Sequence, residues 1–556
     1  MTIRGLLEKN AAEIPELVAL TWCQDKVWQH RTWKEYLARV RDYAEGYGTR
    51  FALKPREDNT AIILGNSPDW LETYLAQSGA GVAVVPMDPK LHESEMEYIL
   101  NDAQVKVITT DKAHIKMMMT LAPKVKTLRG IVITDGPVHE GQMIGDVPVL
   151  PLEKLRVSGG GAWYDANVAQ EDDVASIIYT SGTTGKPKGA MLTHRNFVAD
   201  ADGALGVFNA NPPISTADSF LVILPLFHAF SFCANFVVTL RTQSEMKFVE
   251  SLRTVGRDIH DLQPTVICGV PLLAEKLFDK IQDGLEKSKA AKFLMGIGLR
   301  GPVMHMVFKK LGGKLKFFIT GGAPCPKPVI ECFRKLHVNF LEGYGLTECA
   351  PIVSVTDAKC PKIGTIGRPC EGVEVRIADK NENGVGELQV KGPNVMKGYF
   401  HNDKATKESF DGEWFMTGDL ASQDEEGYLT IRGRKKALIV NREGKNIYPE
   451  EVEKAIAADP AVADIIVVGY TNGGLPGERV GAICYPNEDF YKSQNKGQLP
   501  AWEEIEKDVS KRVQERSAEL ADYKRVRKVV VKREPLERTS IGKVRRVTYK
   551  GTIDEP

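Results

Sequence analysis

The chain has 556 residues, of which 43% are hydrophobic and 26% are charged, a composition typical of folded enzymes. Because one hydrophobic core stops growing near ~250–300 residues, this length predicts more than one domain. Lys plus Arg and Asp plus Glu both number 73, which excludes the strong net positive charge of a nucleic-acid-binding protein. The nine cysteines include no C-x-x-C pair, and the polar start is unlike a signal peptide, so we expect reduced thiols in a cytoplasmic protein and no zinc site.

Helical and strand patterns alternate through the first part of the chain. Helices are predicted at 33–47, 70–79 and 93–103, and strands at 60–64, 81–86, 105–109, 174–178, 220–224, 264–269 and 315–320. This alternation predicts parallel sheets covered by helices. The uncharged run at 220–240 is nearly long enough to span a bilayer, but Pro225, His228 and Asn235 interrupt it. We therefore expect a strand followed by a buried helix there.

The pattern changes twice towards the C-terminus. Between 364 and 433 glycines are dense and the strands are short, at 374–378, 386–391 and 427–433, which predicts a small antiparallel barrel-like region. A helix at 450–458, a strand at 462–469 and a charged helix at 502–518 follow. The prediction is an α/β protein with a large N-terminal domain at 1–433, a hinge at 434–436 and a small mobile α+β domain at 437–556.

A glycine- and hydroxyl-rich segment, YTSGTTGKPKG at 179–189, follows the predicted strand at 174–178. Small residues leave backbone N–H groups open to phosphate oxygens, and the two lysines add positive charge. The segment is not a Walker A loop, because only two residues separate Gly182 from Gly185 and Pro187 follows Lys186. Considered alone, it fits a surface turn equally well.

Further segments downstream could complete a nucleotide site. GGAP at 321–324 and GYGLTE at 343–348 offer open backbone, an aromatic ring and a carboxylate that could hold Mg²⁺. TGDL at 417–420 and GRKK at 433–436 place an acid and an arginine at strand ends, where they could hold ribose hydroxyls. Each segment alone is as well explained by a turn or a solvated side chain.

Taken together and in this order, the segments resemble the adenylate-forming superfamily of acyl-CoA synthetases, firefly-type luciferases and peptide-synthetase adenylation domains. LPLFHAF at 224–230, GKNIYPEEVE at 444–453 and RTSIGKVRR at 538–546 extend the resemblance, which covers about residues 15–549. The basic segment before GGAP and the run GYGLTECAPIVSV are most like long-chain fatty acyl-CoA synthetases.

The resemblance implies roles for particular residues. The nucleotide and CoA would be bound by Thr180, Ser181, Gly182, Thr183, Thr184, Gly185, Lys188, Gly322, Ala323, Pro324, Gly343, Tyr344, Gly345, Thr347, Asp419, Arg434, Gly444 and Lys445. Thr184 and Glu348 would hold Mg²⁺, and Lys543 would bridge the carboxylate and the α-phosphate. Rotation about Lys436 would then remove Lys543 and present the Gly444 loop to the thiol of CoA.

The acyl pocket is expected between segments 226–236 and 264–272, under Gly321. Its expected walls are Phe227, His228, Phe230, Phe232, Cys268, Gly269, Val270 and Gly321, with His228 also counted as a catalytic candidate at the family's gate position. Neither segment carries an acid, a lysine or an arginine, so a medium- to long-chain fatty acid is the expected substrate.

The expected reaction converts the acid to acyl-AMP with ATP and Mg²⁺, and then gives acyl-CoA, AMP and pyrophosphate. One alternative stops at acyl-AMP or uses an acyl carrier protein, whose acidic helices would dock on Lys524 and Arg525. Another is a non-catalytic lipid-binding protein on the same fold. The basic, apolar segment 283–313 is either a solvated helix pair or a peripheral membrane contact, and the oligomer is a monomer or a homodimer.

Overall fold

The computed structural model describes residues 1–553, apart from 137, 140, 181–185, 209–212, 359–360, 444, 472–476, 539–543, 545 and 550. The described chain forms two compact units. The first unit contains residues 1–375 and 390–415, and the second contains 376–389 and 416–556. This grouping does not test the predicted hinge at 434–436, which stays a prediction.

The strands of the chain up to residue 369 are short and mostly buried. They are β1 (Val18–Gln24), β2 (Val27–Thr32), β3 (Asn59–Ile63), β4 (Ala83–Pro86), β5 (Val105–Thr110), β6 (Gly130–Ile133), β7 (Met143–Ile144), β8 (Val147–Pro151), β9 (Val174–Thr180), β10 (Lys188–Thr193), β11 (Ser219–Val222), β12 (Glu245–Phe248), β13 (Val266–Gly269), β14 (Phe317–Gly321), β15 (Asn339–Gly345), β16 (Ile352–Val355) and β17 (Arg368–Pro369).

The later strands are β18 (Glu374–Ala378), β19 (Gly386–Lys391), β20 (Gly398–Tyr399), β21 (Phe410–Asp411), β22 (Trp414–Gln423), β23 (Leu429–Arg434), β24 (Ile439–Val440), β25 (Asn446–Ile447), β26 (Val462–Tyr470), β27 (Arg479–Pro486) and β28 (Lys528–Val531).

The α-helices are α1 (Ile3–Glu13), α2 (Trp33–Arg50), α3 (Pro68–Ser78), α4 (Glu93–Asp102), α5 (Ile115–Leu121), α6 (Leu152–Leu155), α7 (Ala162–Ala166), α8 (His194–Phe208), α9 (Ala229–Ser231), α10 (Val238–Thr242), α11 (Val255–Leu262), α12 (Pro271–Lys287), α13 (Lys289–Gly296), α14 (Arg300–Lys310), α15 (Lys327–Lys335), α16 (Asp403–Glu408), α17 (Pro449–Ile456), α18 (Glu488–Gln494), α19 (Trp502–Ala518) and α20 (Arg546–Tyr549).

Two nine-stranded sheets form the first unit. Their strand orders are β17-β16-β15-β14-β13-β11-β12-β1-β2 and β20-β10-β9-β4-β3-β5-β6-β8-β7. The central pairs are parallel, and antiparallel pairs stand at the edges, at β1–β2, β15–β16 and β9–β10. The predicted helix-covered parallel sheets are therefore confirmed, with antiparallel strands added at their margins.

The uncharged run at 220–240 forms the predicted strand followed by buried helix. β11 leads into α9, a π-helical stretch at Phe232–Val237 and α10, and the apolar side chains of these helices are buried in the main core. Among the residues that the structure describes, no helix is long and apolar enough to cross a membrane.

The glycine-rich region forms a five-stranded sheet in the order β18-β19-β22-β21, with β23 paired to β22. The β21–β22 and β22–β23 pairs are antiparallel, which agrees with the prediction of short antiparallel strands. In the second unit, β26, β27 and β28 form a three-stranded sheet. The apolar faces of α17 and α19 cover it through Val452, Ile456, Val509 and Val513, which confirms the small C-terminal α/β region.

Candidate functional site

The stem of the glycine-rich loop is an antiparallel pair. Thr180, at the end of β9, lies directly opposite Lys188, at the start of β10, and Tyr179 lies opposite Gly189. A side chain at Gly189 would put its Cβ 2.7 Å from Ile177 Cγ2, so the close approach of the two strands requires glycine. The loop residues predicted to hold phosphate, Ser181, Gly182, Thr183, Thr184 and Gly185, lie outside the described residues.

Both lysines of the segment lie over aromatic rings. Lys186 Nζ is 5.3 Å from the centre of the Tyr98 ring, and Lys188 Nζ is 5.0 Å from the centre of the Tyr399 ring. Cation–π contacts at such distances hold an ammonium group without neutralising its charge. Because the lysines keep their charge at the mouth of the stem, they can attract the phosphates of a nucleotide.

Tyr399 reaches the stem because β20 pairs with β10, with Ala190 opposite Tyr399 and Met191 opposite Gly398. Its side chain is 7% exposed, and its hydroxyl donates to Glu348 Oε1 at 2.9 Å. Burial and the Glu348 carboxylate raise the pKa of Tyr399, so the hydroxyl keeps its proton. Tyr399 thus contacts two residues that come from separate sequence motifs, the predicted Mg²⁺ ligand Glu348 and the predicted phosphate-binding residue Lys188.

The Glu348 carboxylate fits a magnesium site. Glu348 is half-buried in a short 3₁₀ turn, Thr347–Cys349. The Met396 N–H donates to the backbone carbonyl oxygen of Glu348 at 2.8 Å. Mg²⁺ is usually held by one or two carboxylates together with substrate phosphates and water, not by a full cage of protein ligands. One oriented carboxylate, linked through Tyr399 to the stem of the predicted phosphate loop, meets that requirement. The other predicted ligand, Thr184, lies outside the described residues.

Buried polar side chains fix the segment that carries Glu348. Asn394 Nδ2 donates to the carbonyl oxygens of Cys349 and Ile352, each at 3.1 Å. Asp200 Oδ1 accepts the Ile352 N–H at 2.9 Å, and burial raises the pKa of the Asp200 carboxyl well above its usual range. Because the turn is held from both sides, the position of the carboxylate is set before any ligand binds.

The predicted adenine platform lies at the carboxyl ends of two parallel strands. Gly321 in β14 is directly opposite Gly343 in β15, and a Cβ on Gly321 would lie 3.2 Å from the Gly343 carbonyl oxygen. Gly322 has φ +86°, and Gly322, Ala323 and Pro324 form an exposed turn after β14. Ligands of α/β proteins bind outside the carboxyl ends of parallel strands, where this turn and the half-buried Tyr344 lie.

The residues predicted to surround the acyl chain fall into two groups. Phe227 and His228 have ring centres 4.6 Å apart, and the Phe230 ring comes within 3.8 Å of the Cβ position of Gly321. Cys268 and Gly269 lie in β13, opposite Ile319 and Thr320, and Val270 precedes α12. The structure therefore brings together two of the residues expected at the pocket, Phe230 and Gly321.

Phe232 is enclosed more fully than the pocket prediction implies. Its ring lies within 4.6–6.1 Å of the rings of Trp70, Tyr74, Phe197 and Phe236, and its side chain is 1% exposed. This aromatic cluster is part of the main core, so the observed packing gives Phe232 a structural task. Its contact with an acyl chain stays a prediction.

In the second unit, the two residues predicted to hold ribose form an ion pair. Asp419 in β22 lies opposite Arg434 in β23, and Arg434 Nε is 2.7 Å from Asp419 Oδ1. The Asp419 side chain is 4% exposed, and the Thr417 hydroxyl accepts its backbone N–H at 3.0 Å. A planar guanidinium beside an anchored carboxylate provides donors and acceptors suited to vicinal hydroxyls.

The segment after Arg434 carries the predicted hinge. Lys435 Nζ pairs with the buried Glu387 Oε2 at 2.7 Å, and Lys436 follows within a 3₁₀ turn, Lys435–Ala437. Lys445 Nζ pairs with Glu443 at 2.9 Å and lies 4.9 Å from the centre of the Tyr523 ring. Gly444 and Lys543 lie outside the described residues, so their predicted roles stay predictions.

The sequence reasoning missed Tyr399 and Asn394, which hold Glu348 and its turn. The only local signal is the pair Gly398-Tyr399. Gly398 adopts φ +140°, and a Cβ at this position would lie 2.8 Å from Thr406 Cγ2. Neither residue belongs to a periodic pattern, and each acts across a large separation in sequence. The pairing of β20 with β10 brings Tyr399 to the site, and the hydrogen bonds of Asn394 to Cys349 and Ile352 bring Asn394 there.

The chain is similar to known enzymes over most of its length. It is 29% identical to a long-chain-fatty-acid–CoA ligase of Mycobacterium bovis, with 84% of this chain and 80% of the relative covered. It is 30% identical to the 2-succinylbenzoate–CoA ligase of Bacillus velezensis, with 83% and 84% covered. It is 27% identical to a chloroplastic long-chain-fatty-acid–[acyl-carrier-protein] ligase of Arabidopsis thaliana, with 82% and 72% covered.

Solved structures share the fold. O-succinylbenzoate CoA synthetase of Bacillus subtilis, in complex with ATP and magnesium, aligns with TM-score 0.73 at 24% identity over 97% of this chain and 98% of that one. ATP-bound MatB of Rhodopseudomonas palustris aligns with TM-score 0.74 at 25% identity over 100% and 99%.

Family matches cover both parts of the chain. Residues 7–400 match the AMP-binding enzymes, and residues 451–543 match the AMP-binding enzyme C-terminal domain. The first match includes the loop stem, Glu348 and Tyr399, whereas Asp419 and Arg434 lie between the two matches. The chain belongs to the AMP-binding enzymes, which form the adenylate-forming superfamily.

Proposed function

We propose that this protein is a fatty acyl-CoA synthetase that activates a medium- to long-chain fatty acid as acyl-AMP and then transfers the acyl group to CoA. The observation that carries the proposal is the contact of Tyr399 with both Glu348 and Lys188. It joins the carboxylate predicted to bind the metal and the ammonium predicted to bind phosphate at the stem of one loop.

The first half-reaction needs positive charge, because a carboxylate must approach an α-phosphorus that already carries negative oxygens. Lys188 contributes such a charge from the first unit. Mg²⁺, when bound, would neutralise phosphate oxygens, and Glu348 would hold it. Family resemblance assigns Lys543 to the α-phosphate, and Asp419 and Arg434 to the ribose.

The acid proposed as substrate follows from the charges of the expected pocket segments. Residues 226–236 and 264–272 contain no acid, lysine or arginine, and several of their side chains are aromatic or aliphatic. A second carboxylate, as in 2-succinylbenzoate, would need a cation to offset its desolvation. The apolar walls favour an alkyl chain, and the long-chain-fatty-acid–CoA ligase relatives support the same choice.

CoA is proposed as the acceptor, in preference to a carrier protein, because of ion pairs near the C-terminus. Lys524 Nζ lies 2.6 Å from Glu451 Oε1, and Arg525 and Arg527 each lie 3.1 Å from an oxygen of Asp522. Docking of an acidic carrier helix on these cations would have to compete with the acids already paired to them. The carrier-protein ligase relative keeps this acceptor as the second candidate.

The test is pyrophosphate release with acids from butyric to stearic acid and with 2-succinylbenzoate, each with and without CoA. We expect the highest kcat/KM for a fatty acid, and thioester formation with CoA but not with an acyl carrier protein. Faster turnover of 2-succinylbenzoate would contradict the proposed substrate. A thioester formed only on the carrier protein would contradict the proposed acceptor.

The variant Lys543→Ala separates the two half-reactions. We expect it to lose pyrophosphate release, because no ammonium then bridges the carboxylate and the α-phosphate, and to keep thioester formation from supplied acyl-AMP. Equal loss of both half-reactions would argue against rotation of the C-terminal domain between them.

A further inference from the structure

A long stretch of the first unit carries positive charge only. From residue 287 to residue 330 the sequence contains nine lysines and arginines and no aspartate or glutamate. The chain as a whole has equal numbers of acidic and basic residues, so this stretch is a strong local departure from the average. It contains the last residue of α12, all of α13, α14 and β14, and the start of α15.

Apolar side chains are exposed on the same stretch. Of the sixteen large apolar side chains that are exposed in the described chain, five lie between residues 293 and 306. Their exposed fractions are 68% for Phe293, 38% for Met295, 57% for Ile297, 45% for Leu299 and 46% for Met306. Single exposed apolar residues are ordinary, but five within fourteen positions form a patch.

The helices are attached to the protein by their opposite faces. Ala291 in α13 and Val303 in α14 are buried, and Met304, Val307 and Phe308 pack against the core beneath. The inward side of α14 is therefore already packed against the protein core. The exposed apolar side chains are not among the residues that pack against that core.

Cations share the outward faces with these apolar side chains. At helical spacing, Lys289 stands one turn before Phe293, and Lys309 and Lys310 stand one turn after Met306. Lys289, Lys292, Arg300, Lys309, Lys310 and Lys314 are exposed, and none of the six forms an ion pair with an acid that the structure describes. Their charge is therefore available to a partner.

We propose that the outward face of α13, α14 and the residues 297–299 between them, named here the α13–α14 surface, is a docking site for an anionic lipid bilayer. Positive charge alone would suit nucleic acid, and apolar residues alone would suit another protein. Lysines interleaved with Phe and Met on two short helices, and with Ile and Leu in the connection between them, suit the boundary between headgroups and acyl chains. The lysines contact anionic headgroups while the apolar side chains enter the lipid.

Docking at this surface would deliver fatty acids to the enzyme, an inference that rests on the proposed function. α12 connects α13 directly to Val270, which follows the β13 residues of the predicted acyl pocket. A membrane held at α13 and α14 would supply sparingly soluble fatty acids at the far end of the 17-residue helix that begins at the segment expected to receive them. Docking itself does not depend on catalysis and is measured without ATP or acid.

The first experiment is co-sedimentation of the full chain with vesicles of phosphatidylcholine alone and of phosphatidylcholine with phosphatidylglycerol. Each cation near an anionic bilayer strengthens binding by about five-fold, which corresponds to about 1 kcal/mol. We expect binding to the anionic vesicles that weakens as salt is raised, and little binding to the neutral vesicles. Equal binding to both would overturn the proposal.

Two variants test the two kinds of side chain. The double variant Lys289→Glu/Lys309→Glu should weaken binding by at least about 25-fold, because two attractive charges become repulsive. Phe293→Ser/Ile297→Ser should weaken it on the order of ten-fold at unchanged charge. All four positions are exposed, so the free energy of unfolding should change little.

Matched controls alter the same residue types elsewhere. Lys116→Glu/Lys407→Glu makes the same charge change at exposed positions, and Met119→Ser/Leu252→Ser removes side chains that are 61% and 71% exposed. Both controls should bind vesicles as the wild type does. Weakening by the controls equal to that by the test variants would overturn the assignment of this surface.

Two further outcomes are decisive. Self-association of the wild type that Phe293→Ser/Ile297→Ser abolishes, without any vesicle binding, would assign the surface to a second copy of the chain and overturn the lipid proposal. Pyrophosphate release with hexanoic acid in the absence of lipid tests the proposed function separately. Normal release together with absent vesicle binding would refute docking alone.

Discussion

Replacing Tyr399 by phenylalanine removes one hydroxyl and leaves the ring beside Lys188 in place. That hydroxyl donates to Glu348 Oε1 at 2.9 Å from a side chain that is 7% exposed. A hydrogen bond to a charged partner contributes about 1.5–3 kcal/mol. Because Glu348 is only half-buried and water can replace part of the interaction, we expect a loss of about 1.4 kcal/mol, or ten-fold in a binding constant.

The loss should appear in the binding of magnesium–ATP, because an unheld carboxylate is less well oriented towards the metal. We expect the KM for magnesium–ATP in pyrophosphate release to rise about ten-fold, with a smaller change in the KM for the acid. A reading that does not depend on turnover is the affinity for Mn²⁺ with a non-hydrolysable ATP analogue, measured by electron paramagnetic resonance. It should weaken by the same factor.

A matched control is available in the second unit. Tyr491 is 6% exposed, and its hydroxyl donates to Asp508 Oδ2 at 2.8 Å, so Tyr491→Phe removes a similar hydrogen bond away from the predicted nucleotide residues. Both variants should lose comparable stability, and only Tyr399→Phe should change Mn²⁺ affinity. An unchanged Mn²⁺ affinity in Tyr399→Phe, or an equal change in Tyr491→Phe, would refute the positioning role.

Three other predictions concern the same fold. Gly189→Val should lower the free energy of unfolding, measured in urea, by about 1–3 kcal/mol, because the new Cβ would lie 2.7 Å from Ile177 Cγ2. Gly65→Val is the control and should change the free energy of unfolding little, because a Cβ on Gly65 has no heavy atom within 4 Å. Asp419→Asn should raise the KM for ATP by about ten-fold or more, since the anchored carboxylate is lost, and an unchanged KM would remove it from the ribose site. Burial lowers the pKa of His194 from 6.5 to about 4, so the unfolded chain takes up this proton first and stability falls as the pH drops from about 6.5 to about 4. His194→Gln should remove about 3 kcal/mol of that pH dependence, and an identical profile in wild type and variant would contradict the burial argument.

Much of the fold could be predicted because local patterns agree with the tertiary structure. The helix at Trp502–Ala518 and the strands at Glu374–Ala378 and Gly386–Lys391 have the predicted bounds. α2 begins at the predicted residue because Thr32 and Glu35 form a reciprocal N-terminal cap. The π-helical stretch at Phe232–Val237 was not predicted, because an extra residue within a helical turn leaves no mark on apolar periodicity.

The site was predicted less completely, since it depends on distant pairings. Asp419 and Arg434 were found in two separate motifs, and the register of β22 and β23 then places them opposite one another. Tyr399 could not be found in this way, because its contact with Glu348 follows from the pairing of β20 with β10. For Phe232 the sequence indicated a pocket residue but not its packing, since nothing local showed that four aromatic rings would enclose it.

The pairing of β10 with both β9 and β20 also constrains biosynthesis. A ribosome that has made the chain only as far as β17 has already released both strands of the loop stem, but not the segment that covers the outer edge of β10. Until β20 emerges, that edge offers unpaired backbone groups to other nascent chains. We therefore expect fragments that end before Gly398 to aggregate, and slow synthesis between β17 and β20 to increase the demand for chaperones.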